Sequence, residues 1–187
     1  MTKVGNGVLR LTNNNNSFTG TVAVSAGILQ FSTVTNNGGG NSNLGAGTDN
    51  LTVGAGRLSF VGAISQATDR GITVSSSSAI LDASGTGGAT ISYNGSINAA
   101  GNTINLDGTG EGFLNGGIIQ TGIAADLITN GSGTWTLAGT NVIADNFVVN
   151  AGTVILGSAD AFGAGSGDDL FIRAAILRLG INGALTN

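Results

Sequence analysis

"VNAGTVIL" (Val149–Leu156) and "VSAGILQF" (Val24–Phe31) are one phrase written twice: an apolar residue, a polar one, Ala-Gly, then a short run rich in apolar residues. "VGAGRLSF" (Val53–Phe60) repeats it, and "IRAAILRL" (Ile172–Leu179) repeats it with Ala in place of Gly. The surrounding text is duplicated in the same order. "GNGVLRLTN" from Gly5 corresponds to "GSGTWTLAG" from Gly131, and "NLGAG" from Asn43 to "AFGAG" from Ala161. "DNLTVGAGRLSF" from Asp49 corresponds to "DDLFIRAAILRL" from Asp168. Conserved order over so many fragments separates a true internal repeat from chance agreement in a biased composition.

The runs between the repeated turns are strands. "VLRLT", "TVAVS", "ILQFS", "RLSFVG", "ITVS", "TWTL" and "TVIL" alternate with period two and are rich in β-branched residues. Gly, Asn, Ser and Asp separate them and supply positive φ or side-chain-to-backbone turn bonds. Helix formers are scarce, with one Glu and one Lys, and 34 glycines interrupt nearly every window. Each glycine costs a helix interior about 1 kcal/mol relative to Ala. The chain therefore reads as all-β.

One apolar position from each copy gives the series Leu29, Leu58, Leu81, Ile104, Ile128, Val154 and Leu177, a period near 23 residues. The two longest steps have an insertion as their expected cause, at "VTNNGGGNSN" after Thr33 and around "NVIADN". Parallel strands need connections of a dozen or more residues. A coil of three short strands and three turns uses about 23 residues and advances one strand spacing, roughly 4.8 Å. The expected fold is a right-handed parallel β-helix (β-solenoid) of about seven or eight rungs, with residues 1–187 as a single domain, a segment of a longer chain or a repeating filament subunit. Turn signals every 8 to 12 residues also fit an antiparallel sandwich; the ordered repeat favours the solenoid.

Composition removes many functions. With no Cys and no His, disulfide frameworks, zinc sites and serine–histidine triads are excluded within the chain. Six basic side chains and a net charge of −4 argue against a nucleic-acid partner. No apolar run reaches the roughly 20 residues of a membrane-spanning helix, and "MTKVGNGVLRL" has no apolar segment of the signal-peptide kind.

The phrases "GSGTWTLAGTN…FVVNAGTVILGSADAFGAG" and "GVLRLTNNNNSFTGTVAVSAGILQFS" resemble the autotransporter-associated β-strand repeat of bacterial surface passengers. The resemblance covers about the first 60 residues and those from Gly131 onward. It implies a right-handed parallel β-helix displayed outside the cell, and it implies no particular activity, since such stalks carry adhesins, enzymes and plain fibres alike.

The candidate sites are few. Asp82 and Asp107 lie about one period apart and are expected to stack on adjacent coils, the arrangement a carbohydrate-active groove would need. "DGTGEG" (Asp107–Gly112) makes Asp107 and Glu111 the candidates for a metal ion, although the stretch lacks the spacing and terminal bidentate Glu of an EF-hand loop. The simpler reading is a turn, with no catalytic residue and no cofactor. Glycine clusters lack the following helix that phosphate binding requires. Trp135, which aligns with Leu9, and the recurring Phe31 and Phe60 are expected in the core, with Arg10, Arg57, Arg173 and Arg178 pointing outward. Stacked asparagines of "NNNN" and "NNGGGNSN" can form amide ladders. The expected role is a non-enzymatic structural or adhesive surface protein. Its partners would be copies of itself, joined head to tail through open solenoid ends, or a host or biofilm surface. A carbohydrate-active or carbohydrate-binding protein with an acidic groove is the alternative.

Overall fold

The computed structural model describes residues 1–120, 125–143, 145–162 and 169–180. In chain order the strands are β1 (Thr2–Lys3), β2 (Val8–Arg10), β3 (Val22–Phe31), β4 (Leu51–Phe60), β5 (Gln66–Thr68), β6 (Ile72–Val74), β7 (Ile80–Ala83), β8 (Thr90–Tyr93) and β9 (Ile97–Asn98). They continue as β10 (Ile104–Asp107), β11 (Glu111–Leu114), β12 (Ile118–Ile119), β13 (Leu127–Thr129), β14 (Thr134–Leu137), β15 (Phe147–Val149), β16 (Thr153–Leu156), β17 (Leu170–Ile172) and β18 (Ile176–Leu179). A single 3₁₀ turn (Ala159–Phe162) is the one helical element among the described residues.

Among the described residues every pairing between these strands is parallel, beside one isolated antiparallel bridge from Asn16 to Ser42, and the strands sort into three faces of a coil. Face A runs β1, β3, β4, β6, β9 and β12 and is extended by a bridge from Ile119 to Val142. Face B runs β2, β3, β4, β7, β10, β13, β15 and β17. Face C runs β5, β8, β11, β14, β16 and β18. The long strands β3 and β4 span the corner between A and B, which is why the sheet forks there. The expected parallel β-solenoid is the observed fold, with face B making seven full turns between Leu9 and Ile172.

The ladder drawn from the sequence needs correcting while its period stands. The inward column of face B is Leu9, Leu29, Leu58, Leu81, Leu106, Thr129, Val149 and Ile172. Ile104 is also buried but lies two residues off that column, and Ile128 points outward between the buried Leu127 and Thr129. Val154 and Leu177 belong to face C, in one column with Trp135. The long step from Ile128 to Val154 is thus a change of face and needs no insertion. The step from Leu29 to Leu58 does contain one, since residues 32–50 carry no strand.

The core is a thin, close-packed stack in which leucines and the Phe31–Phe60 pair ladder from coil to coil, and small residues admit the largest rings. Phe31 and Phe60 are fully buried with ring centroids 5.7 Å apart. Ala83 follows Phe60 in register, and a Cβ on Gly62 or Gly85 would strike the Phe60 ring at 2.6 or 2.8 Å. Trp135, 3% exposed, lies over Gly112, where a Cβ would stand 2.5 Å from the indole. Its Nε1 donates to the Asp107 carbonyl at 3.1 Å. Each fully buried Leu, Ile or Phe contributes roughly 1.5–3 kcal/mol relative to exposure.

Where the backbone ladder lapses, side chains replace it. In the excursion of the second coil, the Val34 amide donates to Gln66 Oε1, Thr68 Oγ1 to the Thr35 carbonyl, and the Asn37 amide to Asp69 Oδ1. The asparagine tracts do stack, Asn41 Nδ2 donating to Asn15 Oδ1 at 2.8 Å. Arg70, 1% exposed, points inward at the corner between C and A and donates to the carbonyls of Asp49 and Leu44 at 3.0 Å each. Burial lowers the pKa of its guanidinium, and the nearby Asp49 charge opposes that.

Candidate functional site

Two corners carry the repeated phrase, and they are built alike. At the A–B corner Gly27, at φ 68°, sits over the carbonyls of Gly5 and Gly7, into which any Cβ would run. At the B–C corner Gly152, at φ 70°, sits in the same way over Gly131 and Gly133. Both requirements, left-handed backbone and no side chain, select glycine. The following amides close the corner equivalently: Ile28 N donates to Gly7 O at 3.2 Å, and Thr153 N to Gly133 O at 2.9 Å. An inward side chain ties each corner to the next coil. Lys3 Nζ donates to the carbonyls of Val4, Gly5 and Ala26, and Thr129 Oγ1 makes a longer bond of 3.5 Å to Ala151. Leu9 and Trp135 therefore occupy one position of one module, placed on faces B and C respectively.

The outer surface of face B carries a polar column: Arg10, Gln30, Ser59, Asp82 and Asp107 in register, continued by Asn130, Asn150 and Arg173. Asp82 and Asp107 do stack on adjacent coils as expected, and Arg57 lies between them. Its Nη1 is 2.7 Å from Asp82 and its Nη2 2.5 Å from Asp107. Burial acts to lower the Arg57 pKa, but the hydrogen bonds and charges of the two carboxylates outweigh it and hold the pKa above its ordinary value. Ser84 donates to the other oxygen of Asp82, and the Gly108 amide to the other oxygen of Asp107. Further along, Asn150 donates to Asn130 and Arg173 to Asn150. Arg57 and Arg173 point outward as expected, yet they bridge coils as well as meet solvent.

Each carboxylate thus gives one oxygen to Arg57 and the other to a neighbouring donor, so the pair is engaged as a bridge between coils. Beneath it, Tyr93 is 1% exposed, and its hydroxyl has no hydrogen-bond partner among the described residues. Burial raises its pKa, with the Asp82 charge adding to the effect.

Asp107 and Glu111 fall on opposite sides of the B–C corner. Asp107 is engaged by Arg57, whereas Glu111 lines a surface cavity of about 400 Å³ running over three coils. One wall comes from the long turn 84–89, and the floor and far side come from the tighter turns at Thr109–Gly110 and Ser132–Gly133. Gly110 and Gly133 keep the floor free of side chains, because the coils approach too closely for a Cβ at Gly133. Among the described residues no group of three or more acidic ligands that could hold a metal ion occurs. The cavity was not legible in the sequence, since its lining hydroxyls are ordinary turn residues until the coils stack them. The phrase "AFGAG" extends through residues 163–165, which lie outside the described residues.

Comparison with known proteins agrees with the geometry of the corners. The passenger-associated-transport-repeat family matches residues 1–31 and 127–156, together about a third of the chain. Searches of curated proteins and of solved structures returned no match. In each matched segment a Gly-x-Gly turn, Gly5–Gly7 or Gly131–Gly133, receives a left-handed glycine of the following coil, Gly27 or Gly152. Among the described residues no helix is long and apolar enough to cross a membrane. Two corner modules of this parallel β-solenoid thus match the passenger-associated-transport repeat, in agreement with the resemblance to autotransporter passengers carried by the same phrases.

Proposed function

We propose that this chain is a non-enzymatic, structural or adhesive segment of a bacterial cell-surface passenger, whose work is extracellular reach, rigidity and display. The observation that carries the reading is the glycine-locked corner, used twice with different inward residues and matched to a passenger repeat on both occasions. A corner that tolerates Leu9 or Trp135 and Lys3 or Thr129, and still closes by the same hydrogen bonds, suits indefinite coil addition. The bridging of Asp82 and Asp107 by Arg57 supports the structural reading over a hydrolytic one.

The partners in this reading are either copies of the same chain, added as further coils, or a host or biofilm surface. Among the described residues β1 and β2 pair only with β3, while β17 and β18 pair only with β15 and β16. Leu170, Phe171, Ile172, Ile176 and Leu179 are each more than a third exposed on the last coil, as are Val8 and Leu9 on the first. Unpaired strand edges with apolar side chains recruit further strands. Electron microscopy of the concentrated protein tests the stacking arm: rods with an axial repeat near eight strand spacings, roughly 38 Å, are expected, and particles of one fixed length would count against it. Antibody labelling of intact cells tests the display arm, and label found only after lysis would overturn it.

A further inference from the structure

We propose that the cavity at the B–C corner is a binding site for a neutral oligosaccharide, with Glu111 as its hydrogen-bonding anchor. Four observations converge on this ligand class. First, the lining is polar and hydroxyl-rich, with Thr109, Ser132 and Thr134 around Glu111. Second, the Glu111 carboxylate has no hydrogen bond or ion pair among the described residues, while the neighbouring Asp82 and Asp107 are fully engaged. Third, no Lys or Arg lines the cavity, so an anionic polymer would meet an uncompensated negative charge. Fourth, Phe113 stands two residues along the same strand on the same outward side, since Gly112 and Leu114 are the buried members of β11.

These features match what a sugar offers. Its hydroxyls both donate and accept, so they satisfy a carboxylate through charge-assisted bonds and exchange bonds with the threonine and serine hydroxyls. The C–H side of a pyranose ring is apolar and covers an aromatic ring at the surface. Phe113 is half-buried and pairs in register with Ser92 and Thr136, two small neighbours on the flanking coils. A volume of about 400 Å³ lies within the range of small-molecule sites. A calcium ion is the poorer occupant, because it takes six to eight oxygen ligands and draws its affinity from several carboxylates, where this cavity has one.

The test is a titration of the full chain with a mixture of cello-, xylo- and manno-hexaose, followed by amide chemical shifts. Shifts confined to Thr109–Phe113 and Ser132–Thr134 are expected. Glu111→Gln and Phe113→Ala should each weaken binding about tenfold, and Ser132→Trp should abolish it by filling the cavity. Because all three positions face outward, an unchanged amide spectrum elsewhere certifies that each variant is folded. The proposal is overturned if saccharides at millimolar concentration leave these amides unmoved in the folded wild-type protein. It is equally overturned if polygalacturonate binds more tightly than the neutral mixture, or if calcium alone shifts the same amides.

Discussion

Segment 1–31 places its module across faces A and B, whereas segment 127–156 places the same module across B and C. The glycines, the closing amides and the Ala carbonyl that accepts from the inward side chain are preserved, while the strands they join lie one face further around the axis. What recurs along this chain is therefore a corner with its two flanking strands, and the faces are interchangeable because each is a flat parallel ladder. The inward residues adapt to their neighbours: Leu9 stacks on Leu29, and Trp135 fits because Gly112 vacates the coil before it.

Breaking the corner should produce the largest effect, and equally in both places. Gly27→Val and Gly152→Val each add a β-branched side chain at positive φ against two carbonyls, for a loss of about 3 kcal/mol or more in urea denaturation. Gly87→Ala, at φ 63° with open space around it, should lose only about 1 kcal/mol. A large penalty at Gly152 with a small one at Gly27 would break the equivalence of the corners.

The Trp135 pocket sharpens the comparison at the next level. Trp135→Ala should cost about 3–5 kcal/mol, and Trp135→Leu, which installs the residue of the first copy, should cost less. Gly112→Ala is expected to be harmful beside Trp135 and tolerated beside Leu at that position, a coupling of about 1–3 kcal/mol in a double-mutant cycle. Additive effects would mean that the glycine is not there to admit the indole.

The polar column should matter less. Arg57→Ala leaves two stacked carboxylates without their shared cation, for an expected loss of about 1–2 kcal/mol after allowance for solvent screening. Asp107→Asn in the same background should recover part of it. The smallest effect is a pH dependence. Tyr93 is the only tyrosine, and its folded-state pKa lies above the unfolded value of about 10. The stability it contributes is complete below that value and declines as pH rises beyond it. Tyrosinate absorbance should accordingly appear together with unfolding; its appearance in the folded protein near pH 10 would show the ring to be accessible.

The coil, its period and the parallel pairing were legible in the sequence, because alternating strands and glycine-rich turns recur at a fixed distance. The face on which each strand lies was not. The related phrases at Val24–Phe31 and Val149–Leu156 carry no label for the corner they occupy, so matching them aligns Val154 with Leu29 although their faces differ. Register is ambiguous at Ile128, since the adjacent Leu127 is equally apolar and it is Leu127 and Thr129 that take the inward positions. Burial of Trp135, Phe31 and Phe60 followed from their positions in strands. The bridge from Arg57 to residues 25 and 50 places further on depends on stacking and leaves no local trace. The same holds for the cavity around Glu111, whose walls come from three coils.

The placement of the second module on face C is tested most directly by disulfide trapping, since the chain has no cysteine of its own. Thr134 and Thr153 are register partners on face C, within the Cα separation a disulfide bridges. Thr134→Cys with Thr153→Cys is predicted to close a bridge in the folded protein, while Thr134→Cys with Val148→Cys, a face B position, stays reduced. Closure of the second pair and not the first would return the module to a single face and contradict the account.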